Sequence, residues 1–201
     1  MSSRATRGHG LLEPLLARLR ARRAEALLPA ALRRGRVLDV GCGSSPYFLS
    51  HTYFAEKFAV DQLPAGGAPD DIAWHQLDLN RRPELPFADG YFQAVTMLAV
   101  AEHLDPAALE RLFVESHRVL APGGRLVVTT PAVEADRLLH VLARVGLVSR
   151  EEIDEHQFAY TPALLGWYFG RAGFAMARVR VGRFELGLNL WATADRDPGA
   201  P

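Results

Sequence analysis

Two glycines and a carboxylate accompany a short apolar run near residue 40. Residues 37–40 include Asp39 and are followed directly by Gly41, Cys42 and Gly43. Glycines at such a position let the backbone turn tightly and let a ligand lie against the main chain, with no Cβ in the way. An acid in an apolar segment is costly unless it is paired or hydrogen-bonded, so Asp39 predicts a cationic ligand group or loop amides nearby.

The single cysteine and the seven histidines form no pattern typical of a catalytic thiol or a metal centre. No clear base accompanies Cys42, which favours a small loop residue over a nucleophile. The histidines and the cysteine lack the spacing of zinc ligands, so the sequence predicts no metal.

Segments typical of strands and helices alternate along the chain. Residues 11–32 have apolar positions at helical spacing with arginines between them, and Pro29 is expected to end or break this helix. Asp105 is the expected N-cap of a helix with Pro106 in its first turn, and further helices are expected at 132–145 and 161–172. Short apolar or β-branched runs predict strands at residues 36–40, 57–60, 72–77, 91–98 and 125–130, with two more, 174–181 and 184–194, around Gly182-Arg183.

This alternation indicates an α/β protein with a three-layer, Rossmann-like sandwich. The sheet is expected to be mostly parallel and seven-stranded, with an antiparallel C-terminal hairpin strand, because parallel partners need a long crossover. The ligand would then lie at the carboxyl end of the first strand, where the strand order reverses. We expect residues 1–34 to form a helical lid or extension, 35–195 the ligand-binding domain, and 196–201 a frayed tail.

Composition narrows the class of protein. The 201 residues carry 23 Lys+Arg and 23 Asp+Glu, so the chain lacks the basic field of a dedicated nucleic-acid binder, and no nucleic-acid partner is expected. One cysteine favours a reducing compartment, which predicts a cytoplasmic protein. No run of eighteen apolar residues occurs, so stable membrane insertion is not expected. The oligomeric state is left open.

Several motifs, in order, give the chain its family resemblance. They are the strand–glycine loop of residues 37–46, the Glu-His-Leu segment ending at residue 104, the Pro-Gly-Gly turn at 122–124, residues 155–162, and Ala-Gly-Phe at 172–174. Together they resemble the class I S-adenosylmethionine-dependent methyltransferases, in the small-molecule, type 11-like branch. Two positions depart from the family pattern: Ser45 replaces the third glycine of the loop, and Gln93 stands where the family commonly has an aspartate.

The resemblance implies S-adenosyl-L-methionine as cofactor. In that family the glycine loop holds the amino-acid part, the acid ending strand two binds the ribose hydroxyls, and an acid after strand three lies near the adenine amine. By position the two acids are Asp61 and Asp78, and two hydroxyl donors suit a carboxylate. The implied cofactor-binding residues are Asp39, Gly41, Cys42, Gly43, Asp61, Gln62, Asp78, Leu79 and Leu98.

The catalytic assignment is a hypothesis about histidines. His103 would follow strand four and face the sulfonium, where it acts as a general base or only braces a helix start, and His156 is the second candidate. Glu102, His156 and Tyr160 are the candidates for binding the acceptor. The expected function is methyl transfer to oxygen or nitrogen of a small-molecule acceptor.

Three alternatives stay open. The basic N-terminal helix suits a methyltransferase acting on a lipid-linked or glycan acceptor. Ser45 and Gln93 leave room for a non-catalytic binding protein of the same fold. A nicotinamide-dependent oxidoreductase is disfavoured, because position 46 is Pro46 rather than the glycine that its motif expects.

Overall fold

The computed structural model describes residues 13–133 and 160–199. Within them, seven strands form a single sheet and four α-helices flank it. The strands are β1 (Arg36–Val40), β2 (Glu56–Asp61), β3 (Ile72–Gln76), β4 (Phe92–Leu98), β5 (Leu120–Pro131), β6 (Val179–Phe184) and β7 (Asn189–Asp195). The helices are α1 (Glu13–Leu27), α2 (Tyr47–His51), α3 (Pro106–Val119) and α4 (Pro162–Arg171).

The strand order in the sheet is β3-β2-β1-β4-β5-β7-β6. Strands β1 to β5 pair in parallel, whereas β7 is antiparallel to both β5 and β6. The mostly parallel sheet with antiparallel C-terminal strands is therefore confirmed. The strand order reverses between β1 and β4, which places a crevice at their carboxyl ends.

Helices cover both faces of the sheet, as the three-layer prediction requires. Neighbouring residues of β1 point to opposite faces: Val37 packs in the core under α1 and α2, and Leu38 in the core under α3 and α4. Such two-sided burial is typical of parallel sheets and explains why β1 is almost continuously apolar. Among the described residues, no helix is long and apolar enough to cross a membrane.

The N-terminal helix is shorter than predicted and packs on the sheet. It ends at Leu27, and a 3₁₀-helix, Ala30–Arg34, begins after Pro29. Ala24 and Leu28 are buried against the sheet, and Arg125 donates a hydrogen bond of 2.6 Å from Nη1 to the carbonyl oxygen of Leu27. The described part of the expected lid is thus a layer of the sandwich; residues 1–12 lie outside the described residues.

The position predicted for the last hairpin turn is wrong. Gly182 and Arg183 lie inside β6, and the chain turns through a 3₁₀-helix, Glu185–Gly187. Gly182 is required by packing rather than by a turn, because a Cβ there would come within 2.4 Å of the Trp191 ring on β7. Glu185 and Gly187 have positive φ angles of 52° and 89°, the backbone geometry that a tight reversal needs.

Two further boundaries differ from expectation. Residues 122–124 belong to the irregular start of β5, where its register with β4 shifts between Phe92 and Ala94. At the expected frayed tail, Arg196 is buried: its amide donates to Gly124, and its Nη1 donates to the carbonyl oxygen of Leu120 at 2.6 Å. Ordered pairing therefore continues one residue past β7.

Candidate active site

The glycine loop follows β1 at the carboxyl edge of the sheet. Gly41 and Gly43 have φ angles of +72° and +68°, which L side chains rarely adopt. A Cβ on Gly41 would lie 2.6 Å from the methyl groups of Val100, so the segment after β4 packs directly on this turn. A Cβ on Gly43 would meet no atom within 4 Å. The main chain at Gly43 is therefore open to a ligand.

Asp61, the last residue of β2, is tied to this loop. Its side chain is buried, Oδ2 accepts a hydrogen bond of 2.8 Å from the Gly43 amide, and Oδ1 accepts one of 2.8 Å from the Leu63 amide. Each carboxylate oxygen can accept a second donor. These two hydrogen bonds from backbone amides, which the sequence did not reveal, fix the orientation of the Asp61 carboxylate beside the loop.

Asp39 is buried within β1. It lies opposite Thr96 of β4 in the strand register, and Thr96 Oγ1 donates a hydrogen bond of 2.6 Å to Asp39 Oδ1. Burial raises the pKa of Asp39 from 3.8 to about 7; the Thr96 hydroxyl lowers it, and the nearby Asp61 charge raises it. Within the described protein the partner is thus a hydroxyl group rather than loop amides; the cationic ligand group stays a prediction. Asp39 is an acid poised to ionise near neutral pH.

Cys42 lies between the two glycines with its thiol protonated. Its Sγ donates a hydrogen bond of 3.4 Å to the carbonyl oxygen of Gly43. Burial, followed by the charges of Asp39 and Asp61, raises the pKa of the thiol well above its ordinary value. The side chain fills the loop, and its raised pKa disfavours a nucleophilic thiolate.

The other expected cofactor contacts are arranged around the same edge. Asp78 follows β3, where Oδ1 accepts hydrogen bonds from the Asn80 and Arg81 amides and the carboxylate lies 3.6 Å from Arg81 Nε. Gln62 is exposed directly after β2, and its carbonyl oxygen accepts a hydrogen bond from Gln76. Leu79 is buried in the core, and Leu98, which ends β4, is partly buried.

The segment after β4 is held by hydroxyl groups that sequence reasoning missed. Ala99 has a positive φ of 56°, and its amide donates both to the carbonyl oxygen of Thr129 and to Thr129 Oγ1. Such a conformation at a non-glycine residue requires support from its surroundings. Thr130 Oγ1 donates a 3.0 Å hydrogen bond to the buried carboxylate of Glu102. Glu102 is thereby held beneath the surface of the crevice.

Tyr160 and Asn80 anchor the neighbouring 3₁₀-helix, Ala101–His103. Tyr160 is buried, and its hydroxyl donates a hydrogen bond of 2.9 Å to the carbonyl oxygen of Ala101. Asn80 accepts from the Asp105 amide at 2.9 Å and donates to the carbonyl oxygen of His103 at 3.4 Å. His103 is half-buried in this anchored turn. His156 and most of the predicted helix 132–145 lie outside the described residues.

Gln93 has a structural role at the opposite end of the sheet. Its Oε1 accepts a hydrogen bond of 2.7 Å from the Arg36 amide at the start of β1, and its side chain covers Gly35. This departure from the family pattern therefore lies away from the crevice at the carboxyl edge of the sheet.

The residues at this edge fit S-adenosylmethionine, the cofactor that the fold and the motifs imply. Open main chain at Gly43 suits a ligand that lies against the loop. The oriented carboxylate of Asp61 suits the vicinal hydroxyl groups of a ribose, which are hydrogen-bond donors. The raised pKa of Asp39 reflects a buried acid that a cationic amino group would stabilise in its charged form. Among the described residues, no three His, Cys, Asp or Glu side chains are grouped as a metal site would require.

Comparison with known proteins agrees with this geometry. The profile of a family described as a methyltransferase domain matches residues 11–179, whereas no curated protein matches the chain. A S-adenosylmethionine-dependent methyltransferase from Archaeoglobus fulgidus is similar, with a TM-score of 0.67 and 16% identity over 90% of this chain and 94% of that one.

Two further solved structures share the fold. A S-adenosylmethionine-dependent methyltransferase from Mesorhizobium loti has a TM-score of 0.61 and 20% identity over 94% of this chain and 99% of that one. The third is a complex of the Trm112 methyltransferase activator with a methyltransferase from Haloferax volcanii, with a TM-score of 0.67 and 19% identity over 88% of both chains. The family match covers residues 11–179, which is most of the sequence. This chain therefore belongs to the methyltransferase-domain family.

Proposed function

We propose that the protein is an active S-adenosylmethionine-dependent methyltransferase that methylates oxygen or nitrogen of a small-molecule acceptor. The observation that carries the proposal is the hydrogen bond from the Gly43 amide to the Asp61 carboxylate. It brings open main chain and an oriented carboxylate together at the carboxyl edge of the sheet. S-adenosylmethionine supplies an electrophilic methyl group on a sulfonium, and the protein positions it.

In this proposal the residues after β4 serve the acceptor. His103 removes the proton from an acceptor hydroxyl or amine, and it is supported in this role by its position on the turn that Tyr160 and Asn80 anchor. Glu102 and Tyr160 are buried and hydrogen-bonded within the protein, so we assign them to shaping the acceptor side of the crevice. His156 is proposed, as from the sequence, as the second candidate base and as a residue that binds the acceptor. Holding the acceptor atom in line with the methyl group supplies much of the rate.

The absence of a strong charge imbalance supports a small acceptor over a nucleic acid, since Lys+Arg and Asp+Glu are equal at 23 each. We propose that the protein acts in the cytoplasm, in keeping with its single cysteine.

The proposal is tested by supplying S-adenosylmethionine with a labelled methyl group together with panels of small hydroxyl- and amine-bearing molecules. Formation of S-adenosylhomocysteine is measured alongside mass-resolved methylated products. We expect acceptor-dependent turnover that Asp61→Ala abolishes, while Asp70→Ala, which alters an exposed acid, retains it. Cofactor binding without turnover on any panel would instead support the non-catalytic binding protein.

A further inference from the structure

A cleft separates α1 from α2 on one face of the sandwich. Its volume is about 320 Å³, enough for a small polar group. It is lined by Arg18, Ala21, Arg22, Glu25, Tyr47, Phe48, His51 and Thr52. Because α2 begins shortly after the glycine loop, the cleft lies beside the cofactor crevice but draws on none of the residues assigned to it.

Two arginines line this cleft one helical turn apart. Arg18 and Arg22 occupy positions i and i+4 of α1, a spacing at which like charges repel. Within the described residues neither guanidinium has a carboxylate within 4.0 Å. Glu25 does not neutralise them, because it is already paired with Arg33 at 3.0 Å and accepts a hydrogen bond from Thr52. Among the described residues, the two arginines of the cleft therefore lack a neutralising carboxylate.

Polar groups of α2 face the same cleft. The rings of Tyr47 and His51 stack with centroids 4.0 Å apart, and His51 Nδ1 lies 2.8 Å from the carbonyl oxygen of Tyr47. A carbonyl oxygen only accepts, so Nδ1 carries the proton and Nε2 is left as the second polar atom of the ring. Arg18 Nε donates to the Tyr47 hydroxyl at 3.4 Å, which leaves the terminal nitrogens of Arg18 for another acceptor.

We propose that this cleft binds the phosphate group of a phosphomonoester or of a lipid headgroup. Arginine presents a planar fork of donors that matches phosphate oxygens, and two such forks one turn apart can hold one anion between them. Binding a dianion also removes the repulsion between the two guanidinium groups. The site is independent of the methyl-transfer site, since it shares no residue with the glycine loop or Asp61.

The test titrates the full-length protein with glycerol 3-phosphate and inorganic phosphate, using ³¹P line broadening and calorimetry. The double variant R18Q/R22Q removes both charges and keeps a shorter, polar side chain at each position. Loss of two charge-assisted hydrogen bonds should weaken binding by about tenfold or more. The single variant R22Q, which breaks no hydrogen bond seen in the described structure, should show part of this loss.

The matched control is the pair Arg111→Gln and Arg180→Gln, which removes the same net charge from exposed positions on α3 and β6. Binding of S-adenosylhomocysteine and the midpoint of thermal unfolding, measured for every variant, report on folding and on the methyl-transfer site. Equal loss of phosphate binding in the control pair would overturn the proposal, because it would show a non-specific charge effect.

Vesicles distinguish the two sources of phosphate. Co-sedimentation with vesicles that contain phosphatidic acid, whose headgroup is a phosphomonoester, is compared with co-sedimentation with phosphatidylcholine vesicles for the same variants. Binding to soluble phosphomonoester that R18Q/R22Q removes identifies a soluble ligand; binding only to anionic vesicles, lost in the same variant, identifies a lipid headgroup. Absence of both would contradict the proposal.

Discussion

The Thr96 hydroxyl on β4 donates a hydrogen bond of 2.6 Å to the Asp39 carboxyl group on the neighbouring strand β1. The two residues are register partners, so the bond joins the two strands between which the strand order reverses. Burial raises the pKa of Asp39, and this hydrogen bond lowers it. The hydrogen bond therefore favours the ionised form of Asp39 at the point where the strand order reverses.

This relationship predicts how stability depends on pH. The pKa of Asp39 is about 7 in the folded protein and 3.8 when exposed, so the folded state binds the extra proton between these values. The contribution of Asp39 to the free energy of unfolding therefore falls as pH rises from 3.8 to about 7 and is constant above. Asp39→Asn keeps an acceptor for Thr96 and cannot ionise, so it should be more stable than the wild type above pH 7.

Denaturant unfolding between pH 4 and pH 8 measures this difference, with Asp70→Asn as the control for an exposed acid. The gain of Asp39→Asn over the wild type should grow with pH up to about 7 and then level off. A difference that is the same at every pH would show that Asp39 is already charged throughout this range.

The open backbone at Gly43 predicts a loss of cofactor binding when a methyl group is added. Gly43→Ala introduces a Cβ where the ligand is expected and forces alanine to a φ of +68°, at a cost of about 1 kcal/mol in stability. Gly123→Ala is the matched control, because Gly123 has a φ of +77°, its Cβ would also meet nothing within 4 Å, and it lies at the other end of the sheet. Calorimetry with S-adenosylhomocysteine should show weakened binding only for Gly43→Ala.

The Tyr160 hydroxyl predicts a separable effect on the acceptor side. Tyr160→Phe leaves the buried carbonyl oxygen of Ala101 without its donor and should destabilise the protein by about 1–2 kcal/mol. Because the turn that it anchors carries His103, turnover should fall while affinity for S-adenosylhomocysteine is retained. Tyr53→Phe, at a side chain that is 71% exposed, serves as the control. Equal unfolding midpoints for the two variants would contradict the anchoring role.

The proposed base predicts a change in the pH profile of turnover. With an acceptor identified by the panel screen, His103→Asn should lower kcat by about a hundredfold and remove one ionisation from its pH dependence. His75→Asn, which removes a ring on β3 that packs against Phe87, should leave the profile unchanged. Near wild-type turnover of His103→Asn across pH would exclude a base at this position.

The fold was predictable because its signals are local. Apolar runs of strand length, the glycines after β1 and the Asp105-Pro106 helix start each depend on a few neighbouring residues. The last turn was misplaced because Gly182 serves a contact with Trp191 on the adjacent strand, and a single sequence does not reveal such a contact. Gly182 does indicate a position where a larger residue would not fit, but the reason is packing across the sheet and not a turn.

The candidate site was predictable only in part, because contacts between segments that are distant in the sequence are not revealed by a single sequence. Asp61 and Gly43 stand out by position and residue type, whereas Thr96 and Thr130 look like ordinary β-branched strand residues. Their importance comes from hydroxyl groups that reach buried carboxylates on other segments: Thr96 to Asp39 across 57 residues, and Thr130 to Glu102 across 28. Such pairs emerge only when the strands are placed side by side.

Calorimetric titration with S-adenosylmethionine and S-adenosylhomocysteine tests the central claim most directly, with NADH as a control ligand and with Asp61→Ala beside Asp70→Ala. We expect the wild type and Asp70→Ala to bind both adenosyl ligands with micromolar affinity. Asp61→Ala should lose this binding, and NADH should give no heat of binding. Failure of the folded wild-type protein to bind either adenosyl ligand, or undiminished binding by Asp61→Ala, would contradict the site described here.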